Sequence, residues 1–405
     1  MKILFVDTQY PMFDRASADV RMFAIVRLLR EQGHDCHYYV SDIGSAESRI
    51  GAEEVARYRD VLRQLGAVTL ERTGFEQVLA DQDYDLVFFK YFYPAEARIT
   101  LVRIWQPQAR VVVDSVDLVY ARLRAKAEVS GLAADRAEAE QIMARELATY
   151  AAADLVITVT EDEARILGGE LPGTPVHVIP NIHDIPAAAR SETPFPSLLF
   201  IGTFTHEPNV DGVLWFAREV WPSVRAAHPD TRLRIVGGNP LPAIQALSGN
   251  GIEVTGYVPD TLPFLMESWV SVAPLRFGAG MKGKVGEAMA ARLPVVTTPF
   301  GAEGFGLVPG VHLVVADDSM EFAESVSKLI VDRDLRSQLG SAGHSFIESR
   351  YSPAAVSHQL TSFTQRLAGI EPAQVVFAPL RRWVKRFKLW QERNLLWRLR
   401  KRVPI

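Results

Sequence analysis

Cysteine is nearly missing from this chain: Cys36 is the only one in 405 residues. No intrachain disulfide can form, and one thiol supplies neither a zinc cluster nor a redox pair, so a reducing cytoplasm is the expected compartment. Long apolar runs are missing too. None approaches the ~20 residues that cross a bilayer, so no spanning segment is expected. The chain opens Met1-Lys2-Ile3-Leu4-Phe5-Val6-Asp7, which reads as a buried strand from the start and lacks the small-residue cleavage site of a signal peptide. Low-complexity tracts and repeats of solenoid period are also absent. Finally, the chain has no general excess of positive charge, since the formal net charge is −4. That figure hides an asymmetry. From Arg381 onward ten basic residues stand against one acid, Glu392, so the tail carries +9 and everything before it −13. An acidic body argues against nucleic acid as the partner, and the basic tail argues for one local anionic partner.

What is present is a soluble-type composition, 48% hydrophobic and 23% charged, at a length that favours two domains. Strand-like apolar runs alternate with helical patterns. In the first half they are KILFVD, CHYYV, DLVFFK, RVVVD, DLVITV and PVHVI; in the second, SLLFIG, RLRIVGG, IEVTG, VSVAPL, PVVTT and HLVV. Continuous runs of this kind suit strands covered on both faces of a parallel sheet. Ser17 reads as the N-cap of the first helix, and Gly33 as its stop. Between the halves, His183 to Pro196 holds three prolines and no periodic apolar pattern, which predicts a linker. The expected fold is therefore α/β, two doubly wound Rossmann-like domains (1–185 and 197–350) facing a cleft, with ligands beyond the carboxyl ends of the strands.

One segment carries chemistry. After the strand VSVAPL comes Arg276-Phe277-Gly278-Ala279-Gly280-Met281-Lys282-Gly283-Lys284-Val285-Gly286-Glu287. Backbone N–H groups at a helix start, uncovered by side chains, form an anion site, and Arg276, Lys282 and Lys284 add full charges beside it. On a helical wheel Val285, Met289 and Leu293 face the sheet, while Lys284 and Glu287 lie away from it. A lysine can hold phosphate while a glutamate accepts from ribose hydroxyls. The plain alternative is a surface Lys284–Glu287 ion pair on an ordinary turn.

The block APLRFGAGMKGKVGEAMAARLPVVTTPFGAEGF resembles the donor site of group 1 glycosyltransferases, family four of the glycosyltransferase classification, which have the GT-B fold. FIGTFTHEPNVDG, LRIVGGNP and VTGYVPD match in order, and the first domain matches more loosely. The resemblance implies retaining transfer of a sugar from a nucleotide-diphosphate donor to a glycan or polyprenyl-linked acceptor, with no cofactor and no metal. It implies donor contacts from Gly202, Gly237, Tyr257, Val258, Arg276, Gly278, Ala279, Gly280, Met281, Lys284 and Glu287. Lys284, Lys282 and the Gly278 and Gly280 amides would stabilise the leaving diphosphate. Two positions depart from the pattern: Ala279 stands where a first glutamate usually touches the donor sugar, and Gly202-Thr203-Phe204 where an arginine is usual. A non-catalytic nucleotide-sugar-binding scaffold and a sugar-nucleotide epimerase of the same fold are the competing readings.

On the acceptor side the candidates are Ser17 and Arg21 in the first helix, and Asp114 and Asp117 after the fifth strand. Asp117 either positions the acceptor hydroxyl, or Asp114 or Ser115 only caps the next helix. Asp81-Gln82-Asp83 reads as a solvated turn. The resemblance implies that a helix at 351–370 packs back onto the first domain. In the tail, 371–405, Trp383, Phe387, Trp390 and Trp397 fall on one stripe among cations, which suits the boundary of an anionic bilayer and hence the inner face of the plasma membrane. The alternative is a tail packed on the acidic body.

Overall fold

The computed structural model describes residues 1–278, 280–373 and Trp383. Ala279 and the tail positions Phe387, Trp390 and Trp397 lie outside the described residues. Two sheets, each wholly parallel, account for the alternating pattern. The first has seven strands, β1 (Lys2–Asp7), β2 (Asp35–Val40), β3 (Val68–Leu70), β4 (Leu86–Lys90), β5 (Arg110–Asp114), β6 (Leu155–Thr158) and β7 (Val176–Val178), in the order β3-β2-β1-β4-β5-β6-β7. The second has six, β8 (Ser197–Ile201), β9 (Arg232–Val236), β10 (Ile252–Gly256), β11 (Val270–Ala273), β12 (Val295–Thr297) and β13 (Val314–Val315), in the order β10-β9-β8-β11-β12-β13. Strand order reverses between β1 and β4 in one sheet and between β8 and β11 in the other. Those are the switch points at which such sheets bind ligands.

Central strands are buried throughout, which is why they read as unbroken apolar runs; every residue of β4 and β8 up to Phe200 is covered. The sequence pattern missed β3. It is three residues long, sits at a sheet edge and leaves Val68 43% exposed, so it carries neither an apolar run nor a clear alternation. The helix Ser17–Glu31 follows β1, and the chain leaves it through Gly33 at φ 83°. Its N-cap is Ala16 rather than Ser17, with no side-chain cap. After β8 the helical stretch is interrupted, running Glu207–Trp215, a π-helical turn Phe216–Val220, then Trp221–Ala227. Pro222, which has no N–H to donate, follows that turn.

Residues 183–196 form neither helix nor strand, but they are fastened to the second domain. Ser191 N–H donates to Met266 O at 3.1 Å, Thr193 N–H to Glu267 O at 2.9 Å, and the Arg190 guanidinium to Arg292 O and Ser268 O. The chain returns through the helix Pro353–Ala368, capped by Ser352. Its Val356, Leu360, Phe363 and Leu367 are buried in one cluster with Ile25 and Leu29 of helix Ser17–Glu31. At roughly 1.5–3 kcal/mol per side chain, that stripe is a large favourable term.

Candidate functional site

The glycine-rich segment leaves β11 and enters the helix Gly283–Ala290. Gly278 at φ 128° and Gly280 at φ 73° take backbone conformations that L side chains avoid, so the loop needs glycine at both. Lys282 at the N-cap gives no side-chain cap; Val285 N–H donates to Lys282 O at 2.9 Å, which leaves the Gly283 and Lys284 N–H groups for a ligand. Opposite stands the start of helix Ser17–Glu31. A Cβ on Gly283 would collide with Ser17 Oγ, so the two helix N-termini, each with its partial positive charge, meet across the cleft. Ser17 is thus released from capping its own helix and faces the other.

Lys284 and Glu287 do not pair; no ion pair joins them among the described residues. Lys284 Nζ donates to Asn209 Oδ1 and lies 4.7 Å from the centre of the Phe200 ring. Asn209 is itself held by donation to Thr203 O at 2.8 Å. A Cβ on Gly202 would come 2.8 Å from Asn209 and 3.0 Å from Lys284 Nζ, and one on Gly237 would strike Gly202 O. The glycines after β8 and β9 therefore clear space for the lysine. Burial, with Lys282 adding repulsion, pushes the Lys284 ammonium down to about 7. Lys282 is buried too, donates to Gly280 O at 2.6 Å, and is lowered by burial against the pull of Glu303. Among the described residues Lys284 has no ion-pair partner and Lys282 has only the Glu303 carboxylate at 3.9 Å, so a bound anion would be valuable to both.

On its other flank the helix presents Glu287, which accepts from Thr261 Oγ1 at 2.5 Å and is raised by burial. Glu287, Thr261, Val258, Gly283 and Ser17 line a cavity of about 480 Å³ between the domains. Tyr257 spans its mouth, donating to Asp14 Oδ2 at 3.1 Å with the Arg15 guanidinium 5.0 Å over its ring. Two expected contacts are directed elsewhere. Arg276 is engaged by the Asp211 carboxylate, with Nε donating to Oδ2 at 2.8 Å. Met281 packs against Gly304, lining a separate cavity of about 1000 Å³ near Tyr351.

The first domain contributes Asp117. Val116, a β-branched residue at φ 63°, and Tyr91 at φ 67° hold strained backbone on the strand ends beside it. Asp117 accepts from Arg122 Nε at 2.8 Å, and its Cβ lies 4.0 Å from where a Gly280 Cβ would be. Arg21 and Asp114 require correction as acceptor-side residues. Arg21 is 1% and Asp114 0% exposed; they pair with each other at 2.5 Å, and Arg21 also donates to Ile179 O and Pro180 O. They tie β5 to the chain leaving β7 and offer nothing to a ligand. A second buried network went unread: Lys90 Nζ sits between Asp19 and Asp7, and Tyr38 OH donates to Asp7 Oδ2 at 2.9 Å. The sequence reading also passed over Glu163, whose Thr160-x-x-Glu163 spacing signals a capping box. That box exists, and the glutamate also faces the glycine-rich loop from the first domain.

Comparison with known proteins now fits this geometry. The family described as glycosyl transferases group 1 matches residues 195–332, and a glycosyl transferase 4-like domain matches residues 18–182. An uncharacterized 44.6 kDa protein in the cps region of Klebsiella pneumoniae is 29% identical over 169 residues, 40% of this chain and 44% of that one. The match thus spans less than half the length of that relative. Among solved structures, sucrose-phosphate synthase from Thermosynechococcus elongatus superposes with a TM-score of 0.68 at 15% identity, covering 91% of this chain and 99% of that one. Anabaena HepE in complex with UDP gives 0.67 at 15% identity, covering 90% and 100%. With matching profiles on both domains and this architecture, the chain belongs to the group 1 glycosyltransferases and has the GT-B fold.

Proposed function

We propose that this protein is a metal-independent retaining glycosyltransferase. It moves a sugar from a nucleotide-diphosphate donor to a glycan or lipid-linked acceptor in surface-polysaccharide or glycolipid synthesis. The observation that carries the reading is the meeting of two helix N-termini at Ser17 and Gly283 beside Lys284 and Lys282. Four sources of positive potential converge where a diphosphate would lie, and the cavity beside Glu287 has room for a nucleoside. As the bond from the anomeric carbon to the phosphate oxygen breaks, charge grows on the leaving diphosphate, where these groups stabilise it. The acceptor hydroxyl attacks from the same face and gives its proton to the departing phosphate oxygen, so no protein nucleophile is needed. Asp117, at the first-domain wall, orients the acceptor. The cps-region relative supports polysaccharide synthesis as the setting. Trp383, 64% exposed at the start of the basic tail, supports contact with an anionic membrane on its cytoplasmic face.

The test is a panel of sugar nucleotides scored for transfer or hydrolysis by mass spectrometry, with and without EDTA. Turnover of one donor that survives EDTA is expected. A protein that binds a nucleotide sugar tightly and never turns it over, with polyprenyl-phosphate or glycan acceptors supplied, is a scaffold instead.

A further inference from the structure

A nucleotide sugar has three parts in line, and the site described above accounts for two of them. The nucleoside has the cavity at Glu287 and Thr261, and the diphosphate has Ser17, Gly283 and Lys284. On the same loop, just before Lys282 and Gly283, stands Gly280, whose carbonyl accepts from Lys282 Nζ at 2.6 Å. The loop itself offers the sugar no carboxylate, because from Ser268 to Gly286 the chain has no Asp or Glu. Its groups are backbone amides and cations, whereas sugar hydroxyls also need acceptors.

An acceptor comes from the other domain. Glu163 is 6% exposed, and its two carboxylate oxygens have different surroundings. Oε2 accepts from Val159 N–H and Thr160 N–H, each at 3.1 Å, which fixes the side chain at the head of its helix. Oε1 is buried with no hydrogen-bond partner among the described residues and lies 3.7 Å from the position of a Gly280 Cβ. A buried, unsatisfied carboxylate oxygen is costly to leave unpaired. Oε1 lies directly against Gly280, which has no side chain to interpose, and the Asp117 Cβ lies 4.0 Å from the same position. Burial and then Asp117 raise the Glu163 carboxyl above its ordinary range, while the two amides hold it down.

We infer that Glu163 Oε1 accepts a hydrogen bond from a hydroxyl of the donor's sugar, so that the first domain supplies the carboxylate of the sugar subsite. This rests on the nucleotide-sugar reading above. The role is distinct from capping, which uses Oε2 alone, and it makes sugar binding depend on closure of the two domains.

Glu163→Gln separates the roles, because the amide oxygen can still accept from Val159 and Thr160 while the charge facing Gly280 is gone. Affinities for UDP, GDP and dTDP and for their glucose conjugates are measured by calorimetry on the full chain. For whichever base the wild type binds, Glu163→Gln should leave the free diphosphate within about twofold. The conjugate should lose about ten- to hundredfold, the range for hydrogen bonds to a charged group. Thr160→Ala, which weakens the cap and keeps Oε1, should leave the ratio of the two affinities unchanged. Glu163→Asp draws the charge back from Gly280 and should give a smaller loss of the same ratio; its ratio decides if Glu163→Gln folds poorly. An unchanged ratio in both Glu163 variants overturns the inference while leaving the donor reading intact. A wild type that binds none of the six ligands overturns the donor reading and the inference with it.

Discussion

Lys284 stands in surroundings that discourage its own charge, and this makes donor affinity a function of pH. Burial and the neighbouring Lys282 bring its ammonium from 10.5 to about 7. In the free protein it is therefore about half protonated at pH 7 and about one part in a hundred at pH 9. The diphosphate of a sugar nucleotide is a diester and keeps its charge across that range. Bound against Lys284, it favours the ammonium and raises the pKa again. Affinity should then be level below pH 7 and fall about tenfold per pH unit above it, ~1.4 kcal/mol each. It levels off once the pH reaches the raised pKa of the bound lysine. Binding at pH 7 should take up about half a proton, visible as a dependence of calorimetric enthalpy on the buffer. Lys284→Met should lose both the slope and the uptake, and its turnover should drop by about two to three orders of magnitude if the ammonium stabilises the leaving group. The sign for folding is opposite to that of a paired lysine. Because the folded pKa lies below the unfolded one, the unfolded chain holds more protons between pH 7 and 10.5, and Lys284 costs less stability as pH rises through that window. Lys284→Met should accordingly be no less stable than the wild type at pH 7. A donor affinity that is flat from pH 7 to 9, with no proton uptake, would refute this account of the site.

Gly286→Ala should cost about 1–3 kcal/mol in urea unfolding, since the added Cβ collides with the buried His183 ring, which burial keeps neutral with its pKa pushed to about 4. His183→Ala in the same chain should recover part of that loss, and additive losses would mean that the two do not press on each other. Asp114→Asn leaves the Arg21 guanidinium buried beside a neutral group, and an expected loss of about 3–5 kcal/mol is read from the same transition. Deleting residues 381–405 should release the protein from phosphatidylglycerol vesicles in a flotation assay and leave its donor affinity unchanged. Equal flotation with and without those residues would assign membrane contact to another surface.

Most strands were legible because burial on both faces writes itself as an unbroken apolar run, as in β4 and β8. The glycine-rich exit from β11 follows from that pattern, whereas the strand orders that set the two switch points come from the folded chain. Polar residues were harder to place. Arg21 looked like a cleft residue from its place in the first helix turn and Asp114 from its place at a strand end, but they are 93 positions apart and only the folded chain shows them neutralising one another. Ser17 looked like a cap from its place before an apolar helix, whereas its hydroxyl faces Gly283 of the opposite helix. Glu163 illustrates the same difficulty in reverse. Its capping spacing was visible and correct for Oε2, but nothing local reports where Oε1 looks, since Gly280 is over a hundred residues away.

The two connections between the domains exchange places. The segment after β7 lies on the second domain, and the helix Pro353–Ala368 completes the core of the first. They pass each other at one point, where His183 N–H donates to Tyr351 O at 2.9 Å. Both crossings are thus tied to each other by a backbone hydrogen bond. It follows that the first domain is not a contiguous stretch of sequence, whereas the second is. Residues 1–185 produced alone would expose the apolar face of helix Ser17–Glu31 that Leu360 and Phe363 cover, and dissecting this protein into halves calls for the last helix to be grafted back onto the first.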